Sequence, residues 1–439
     1  MLAEDGGGMS EQAGKPLGFW SCWSLTVGCM IGSGVFMLPT LLAPYGLLSF
    51  GGWIIAGGGS IALALIFGQL AARTSRNGGP YAYSRAAFGD LTGFLMGWAY
   101  WLSFLMGIPV VAIAFVGYLT VFVSALNDNP VGQALSALAL IGVFTLINIR
   151  GLKEMSAAQI ALTVLKIVPL VAIIGLGFTV GTPANLPAFN PSGEPVIAAL
   201  AAVALIALWP FTGFEVVTLP ATNVKDCERT IPRALVTGMI TVVVIYLSAT
   251  AAVMLLVPPA QLAQSTAPFA EAARAFGAWG PNFIAAGALI ATAGTLNGLI
   301  FTCGQMPMAV ALDNLAPRWL AATTKGGSPY LSLLLSSTLA SLLLLLNYSR
   351  GLIGAFTFLL MMATALGLIY YVVVSLAELR HSARSAPAWA AIAVIGLVYS
   401  LFAAFGSGLE VLFWGVVLMA VGVPLHYLLR QPTPAIRTS

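Results

Sequence analysis

Charge is scarce in this sequence: Asp, Glu, Lys and Arg make up 7% of 439 residues, against about 25% in a soluble domain. So few charges cannot cover a water-facing surface, and lipid must cover most of it. Histidine is scarcer still, with only His381 and His426, both near expected helix ends. A metal site or a histidine-based triad therefore has nothing to stand on. The four cysteines are Cys22, Cys29, Cys227 and Cys303. Three fall in apolar segments and one in an expected cytoplasmic loop, so no disulfide framework is expected. Residues 1–16 lack the basic start and short apolar stretch of a signal peptide. They read as a cytoplasmic tail, as do residues 431–439.

What the sequence has is hydrophobic length. Apolar residues make up 59%, in runs of about 20, the length that crosses a hydrocarbon core as a helix. The runs are continuous, as in Leu331 to Leu346, whereas barrel strands alternate apolar and polar residues. The expected fold class is therefore an all-α integral membrane protein. Twelve transmembrane helices are expected at 18–44, 47–71, 91–125, 131–149, 155–180, 195–222, 231–257, 281–311, 330–348, 350–376, 387–406 and 408–430. The third is long enough to require tilt. With the N-terminus inside, fifteen basic residues fall in inside segments, and only Arg274 and Arg350 fall outside. The positive-inside rule thus places both termini in the cytoplasm of a multi-pass plasma-membrane protein. The net charge of +4 is accounted for by these loops, and no nucleic-acid partner is expected.

Two runs argue against continuous helices. The first span contains Gly32-Ser33-Gly34 in CMIGSGVFMLP, and the sixth contains Pro210, Thr212 and Gly213 in WPFTGFEVVTLP. Proline removes a ladder hydrogen bond and clashes with the preceding turn. Each run has a glycine ahead of a Leu-Pro pair at the same spacing, Gly32 to Pro39 and Gly213 to Pro220. The runs open two five-helix halves, 17–180 and 195–376, with two further helices over 387–430. One discontinuous helix per half is the pattern of inverted-repeat transporters, whose substrate sits between the breaks. Half-helix N-termini suit a carboxylate and half-helix C-termini an ammonium, and an amino acid carries both.

The runs GCMIGSGVFMLP, GGPYAYSRAAFG, GFEVVTLPATNVKDCERTIPRA and NLAPRWLAATTKGGSPY resemble the amino acid–polyamine–organocation superfamily, from about residue 17 to 430. The likeness extends to bacterial amino acid permeases and arginine/agmatine-type exchangers. It implies two inverted five-helix repeats plus two helices, with the first and sixth helices broken. It also implies that Ser33 and Gly34 hold the substrate carboxylate, and that the carbonyls of Met30, Trp209 and Thr212 receive the α-ammonium. Trp209 would gate the site, Tyr100 would stand near its outer side, and Glu215 would take part in coupling. The sequence departs from the arginine exchanger at two guanidinium contacts, replaced by Leu299 and Ile108, and is apolar near Phe358 and Leu359. An apolar pocket would leave a guanidinium unpaired, which costs several kcal/mol in a dry site.

Lys166 lies mid-span in VLKIVPL, roughly 13 Å from the nearer end, beyond easy snorkelling. Ionisable groups at such depth are functional candidates. By resemblance Lys166 takes the place of a sodium ion between the first, fifth and eighth spans, with Thr292 and Thr295 as candidate partners. The function expected is secondary amino acid transport, for neutral or apolar substrates first, with a basic amino acid/polyamine antiporter as the alternative. A channel is disfavoured because no filter motif is present, and an enzyme because only Glu215 and Lys166 are available inside the membrane. No cofactor is expected. Proton coupling and a homodimer both remain open from sequence.

Overall fold

The computed structural model describes residues 18–73, 79–150, 156–218, 224–324 and 327–429, with backbone alone for 156–164. The expected tails, and with them Arg76, Lys153, Pro220 and Lys325, lie outside these residues. Helices follow one another along the described chain: α1 (Phe19–Met30), α2 (Ser33–Leu42), α3 (Leu48–Arg73), α4 (Gly79–Phe88), α5 (Asp90–Leu119), α6 (Pro130–Arg150), α7 (Ser156–Val180) and α8 (Val196–Leu208). They continue with α9 (Cys227–Leu256), the short α10 (Pro259–Leu262) and α11 (Pro268–Ala272), α12 (Gly280–Leu312), α13 (Tyr330–Asn347), α14 (Gly351–Ser382), α15 (Pro387–Phe405) and α16 (Gly408–Leu429).

Among the described residues, eight stretches are long and apolar enough to cross a membrane, and α1 with α2 form a further pair bent by 42°. One of the eight, Tyr330–Ser382, holds both α13 and α14. They part at a turn over Tyr348–Arg350, followed by Gly351 at φ 74°. The described part of α7 with side chains and α8 are shorter apolar helices. The sequence expectation of 91–125 for the third span is too long at its far end. Helix α5 stops at Leu119, where the Thr120 hydroxyl turns back onto the Gly117 carbonyl at 2.8 Å, a local bond that competes with continuing the helix.

Burial orders the helices. The most apolar window of α5 is 89% buried, whereas those of α6 and α16 are 22% and 17% buried. Helix α5 therefore stands at the centre, packed against α12 and α14, with α16 at the rim. The rim helices expose Leu409, Val416 and Leu428 of α16 and Leu135 and Leu146 of α6. A band of this kind is expected where lipid, not water, is the neighbour. Helix α1 lies between α7 and α9, and α12 also touches α7; residues of α1, α2, α5, α7 and α12, with the segment after α8, wall the site.

Candidate functional site

The site is built from two interrupted helices. Helix α1 ends at Met30, Ile31 and Gly32 are non-helical, and α2 begins at Ser33 with no side-chain cap. Space explains Gly32: a Cβ there would run into the Thr295 side chain on α12. Helix α8 ends at Leu208. A tight turn over Trp209–Phe211 follows, then extended Thr212 and Gly213 at φ 96°, a conformation that favours glycine. A second tight turn spans Phe214–Thr218. Pro210 brings no N–H to a ladder and helps end α8.

A helix end leaves its last four carbonyls without helical partners, and the fold supplies several. The Val27 carbonyl accepts from the Ile31 N–H at 2.9 Å. The Gly28 carbonyl accepts from the Lys166 ammonium at 3.0 Å. The Met30 carbonyl accepts from the Tyr246 hydroxyl at 2.7 Å, and that hydroxyl also lies 3.4 Å from the Pro210 carbonyl. Tyr246 of α9 thus stands against both breaks. The Trp209 carbonyl accepts from the Thr212 hydroxyl at 2.7 Å and from its N–H at 3.0 Å.

Between the breaks lies a cavity of about 390 Å³, a volume suited to a small molecule. The structure brings Met30, Ser33, Gly34, Lys166, Trp209, Thr212 and Leu299 to its wall. It does not bring Ile108 there. Ile108 is fully buried, and on α5 it is Phe104 that lines the cavity; Gly107 packs against two wall residues, where a Cβ would meet the Trp209 ring at 2.6 Å and Leu299 at 3.4 Å. Phe104 stands one turn before Ile108 on α5, so the α5 contribution falls a turn nearer the Asp90 end. Tyr100 is also away from the wall. It lies one turn toward the Asp90 end from Phe104, ring to ring at 4.4 Å. In the expected orientation that is the inner side, not the outer side. Phe358 does not reach the site either and lies under the Arg350 guanidinium at 4.2 Å.

Glu215 sits behind the wall, fully buried. It accepts from the Gly213 N–H at 3.1 Å and from the hydroxyls of Tyr370 and Tyr371 at 3.2 and 3.4 Å. It thereby ties the second break to α14. Lys166 lies between α1 and α12, but its α12 neighbour is Gly294, not the expected threonines. Thr292 and Thr295 donate instead to the carbonyls of Ala288 and Ala291 in their own helix. Sequence reasoning missed Phe104, Cys29 and Asn297 on the cavity wall and Tyr246 against the breaks. A tyrosine within the apolar run ITVVVIYLSA was the one local signal for Tyr246; the others look like ordinary membrane-helix residues.

Side chains are tied together on both sides of the cavity. Beyond Gly34, the Phe36 ring packs on Phe269 at 5.4 Å and on Tyr118 at 5.7 Å. The Tyr118 hydroxyl donates to the Phe36 carbonyl at 2.7 Å, and Thr40 donates to the Ser265 carbonyl at 2.8 Å. At the other end, Arg85 of α4 pairs with Asp90 at 2.8 Å and with Asp313 at 2.9 Å. The Tyr81 hydroxyl also donates to Asp313, at 2.5 Å. Burial first, then Asp313, pushes the Tyr81 phenol above its ordinary range, so it stays a donor. Partly exposed pairs are worth about 1 kcal/mol or less each, enough to shift a balance between two conformations several-fold. Asp313→Ala is expected to lower the turnover rate a few-fold while affinity stays near wild type; initial rates against substrate concentration check this, and an affinity loss with unchanged turnover contradicts it.

Residues 17–428 match the family described as amino acid permease. The chain is 28% identical over 426 residues to the putrescine transporter PotE of Escherichia coli (strain K12), covering 95% of this chain and 97% of the relative. It is 28% identical over 428 residues to the putrescine transporter PotE of Haemophilus influenzae. To the cadaverine/lysine antiporter of Escherichia coli (strain K12) it is 32% identical over 341 residues, 76% of this chain and 75% of the relative. With its helices, its two interruptions and a match over nearly its whole length, the chain belongs to the amino acid permease family.

Proposed function

We propose that this protein is a secondary transporter that exchanges amino acids and diamines across the bacterial inner membrane by alternating access. In this reading twelve spans form two inverted five-helix repeats plus two helices, with both termini cytoplasmic. The observation that carries it is the meeting of two broken helices at one cavity. There the uncapped N-terminus of α2 at Ser33 and Gly34 offers N–H groups to a carboxylate. Met30, Trp209 and Thr212 line the same cavity, where carbonyls freed by the breaks would suit an ammonium.

Of the two substrate expectations, the relatives favour the alternative. Their names point to putrescine, cadaverine and lysine, not to neutral amino acids. The aromatic rings of Phe104, Trp209 and Phe301 in the cavity wall offer π faces to an ammonium. The neutral reading keeps one observation in its favour: among the described residues, no Asp or Glu lines the cavity. Proteoliposomes loaded with lysine should take up labelled lysine, and external cadaverine or putrescine should compete better than leucine. Leucine competing tenfold better than either diamine would restore the neutral reading. Uptake that ignores internal substrate would remove exchange.

A further inference from the structure

Asn297 lines the cavity from α12, and its amide is not free to turn. Asn148 of α6, 5% exposed, donates through Nδ2 to the Phe144 carbonyl at 2.8 Å and to Asn297 Oδ1 at 2.8 Å. The Phe144 carbonyl can only accept, which fixes the Asn148 nitrogen. Both hydrogens of that nitrogen are then committed, and Asn297 must meet it with its oxygen. Asn297 is left with Nδ2 and its two hydrogens, which have no partner among the described residues. The neighbouring hydroxyls cannot serve as donors. Thr295 and Thr302 spend their hydrogens on the carbonyls of Ala291 at 3.0 Å and Gly298 at 2.9 Å. On the α12 face of the cavity, Asn297 is therefore a donor among acceptors.

We infer that Asn297, held in this orientation by Asn148, is a specificity residue that requires a hydrogen-bond acceptor on the substrate. An amine has only donors when protonated, whereas an amino acid brings a carboxylate. The protein should therefore prefer an amino acid to the amine left when its carboxylate is removed. A donor that the bound amine cannot satisfy loses its hydrogen bond to water and gains nothing. In an exchanger of amino acids and diamines, this contact would set the balance between the two arms. The inference rests on the transport reading above. It assigns Asn148 a positioning role through Asn297, although Asn148 does not line the cavity.

The test uses pairs that differ only by the carboxylate: lysine against cadaverine, and leucine against 3-methylbutylamine. Each competes for binding of its labelled amino acid to the full-length protein. Wild type is expected to bind the amino acid of a pair more tightly. Asn297→Ala and Asn148→Ala should each narrow that ratio about fivefold. The N–H groups of α2 would preserve part of the preference. A mere brace between α6 and α12 would weaken both members of a pair equally and leave the ratio alone. A ratio within twofold of wild type in either folded variant overturns the proposal; Asn297→Ser replaces an alanine variant that does not fold. If wild type binds no member of either pair, the transport reading fails as well, and that result appears before any variant is made.

Discussion

Gly34→Leu is expected to abolish substrate binding, and Gly34→Ala to weaken it by tenfold or more. Gly34 is in the first turn of α2 and has no positive φ, so the demand is for space and not for conformation. A Cβ there would stand 2.7 Å from Pro210 Cβ, 2.9 Å from Pro210 Cα and 3.2 Å from the Trp209 ring. The first two atoms belong to a rigid ring and its backbone, which cannot swing aside. Alanine must then push the two breaks apart, and leucine must also cover the N–H groups at the start of α2. A tenfold loss corresponds to about 1.4 kcal/mol, within the about 1–3 kcal/mol that overpacking costs. Binding by competition and thermal unfolding of the purified variants separate a lost site from a lost fold. Unchanged affinity in a folded Gly34→Leu variant would remove the first break from the site.

The interruptions were legible in the sequence because their cause is local. A glycine pair or a mid-span proline weakens a ladder without always breaking it, as Pro109 within α5 shows, and the breaks at Gly32 and Gly213 fall within the runs that predicted them. Helix positions were legible because apolar length is enough to place them. What was not legible depends on contacts between distant segments. The shift from Ile108 to Phe104 depends on how α5 packs against the two breaks, which no pattern within α5 encodes. Asn148 and Tyr246 matter through partners 149 and 216 residues away. The α12 neighbour of Lys166 was misplaced for a related reason: which face of α12 meets α7 depends on the packing of two helices far apart in sequence, and it is Gly294 that lies beside the ammonium.

Lys166→Ala is expected to lower exchange by tenfold or more while the protein remains folded, and wild-type exchange should not require sodium. The ammonium meets the Gly28 carbonyl at 3.0 Å, next to the first break, and lies beside Gly294 of α12. It thus places an amine nitrogen where three helices converge, a position that a bound cation could otherwise fill. Removing it leaves a carbonyl at a helix end with no donor, which costs about 1–3 kcal/mol, and empties part of the cavity wall. The loss should fall on transport more than on folding, because the Gly28 carbonyl borders the cavity, where water can replace the missing donor. The decisive measurement is initial exchange in proteoliposomes with and without sodium and across pH, wild type beside mutant. A sodium requirement in wild type, or a mutant that matches wild type at every pH, reduces Lys166 to a structural counter-charge. Coupling would then have to be sought at Glu215, which the Tyr370 and Tyr371 hydroxyls join to α14. There Glu215→Gln keeps the size of the side chain and removes its charge.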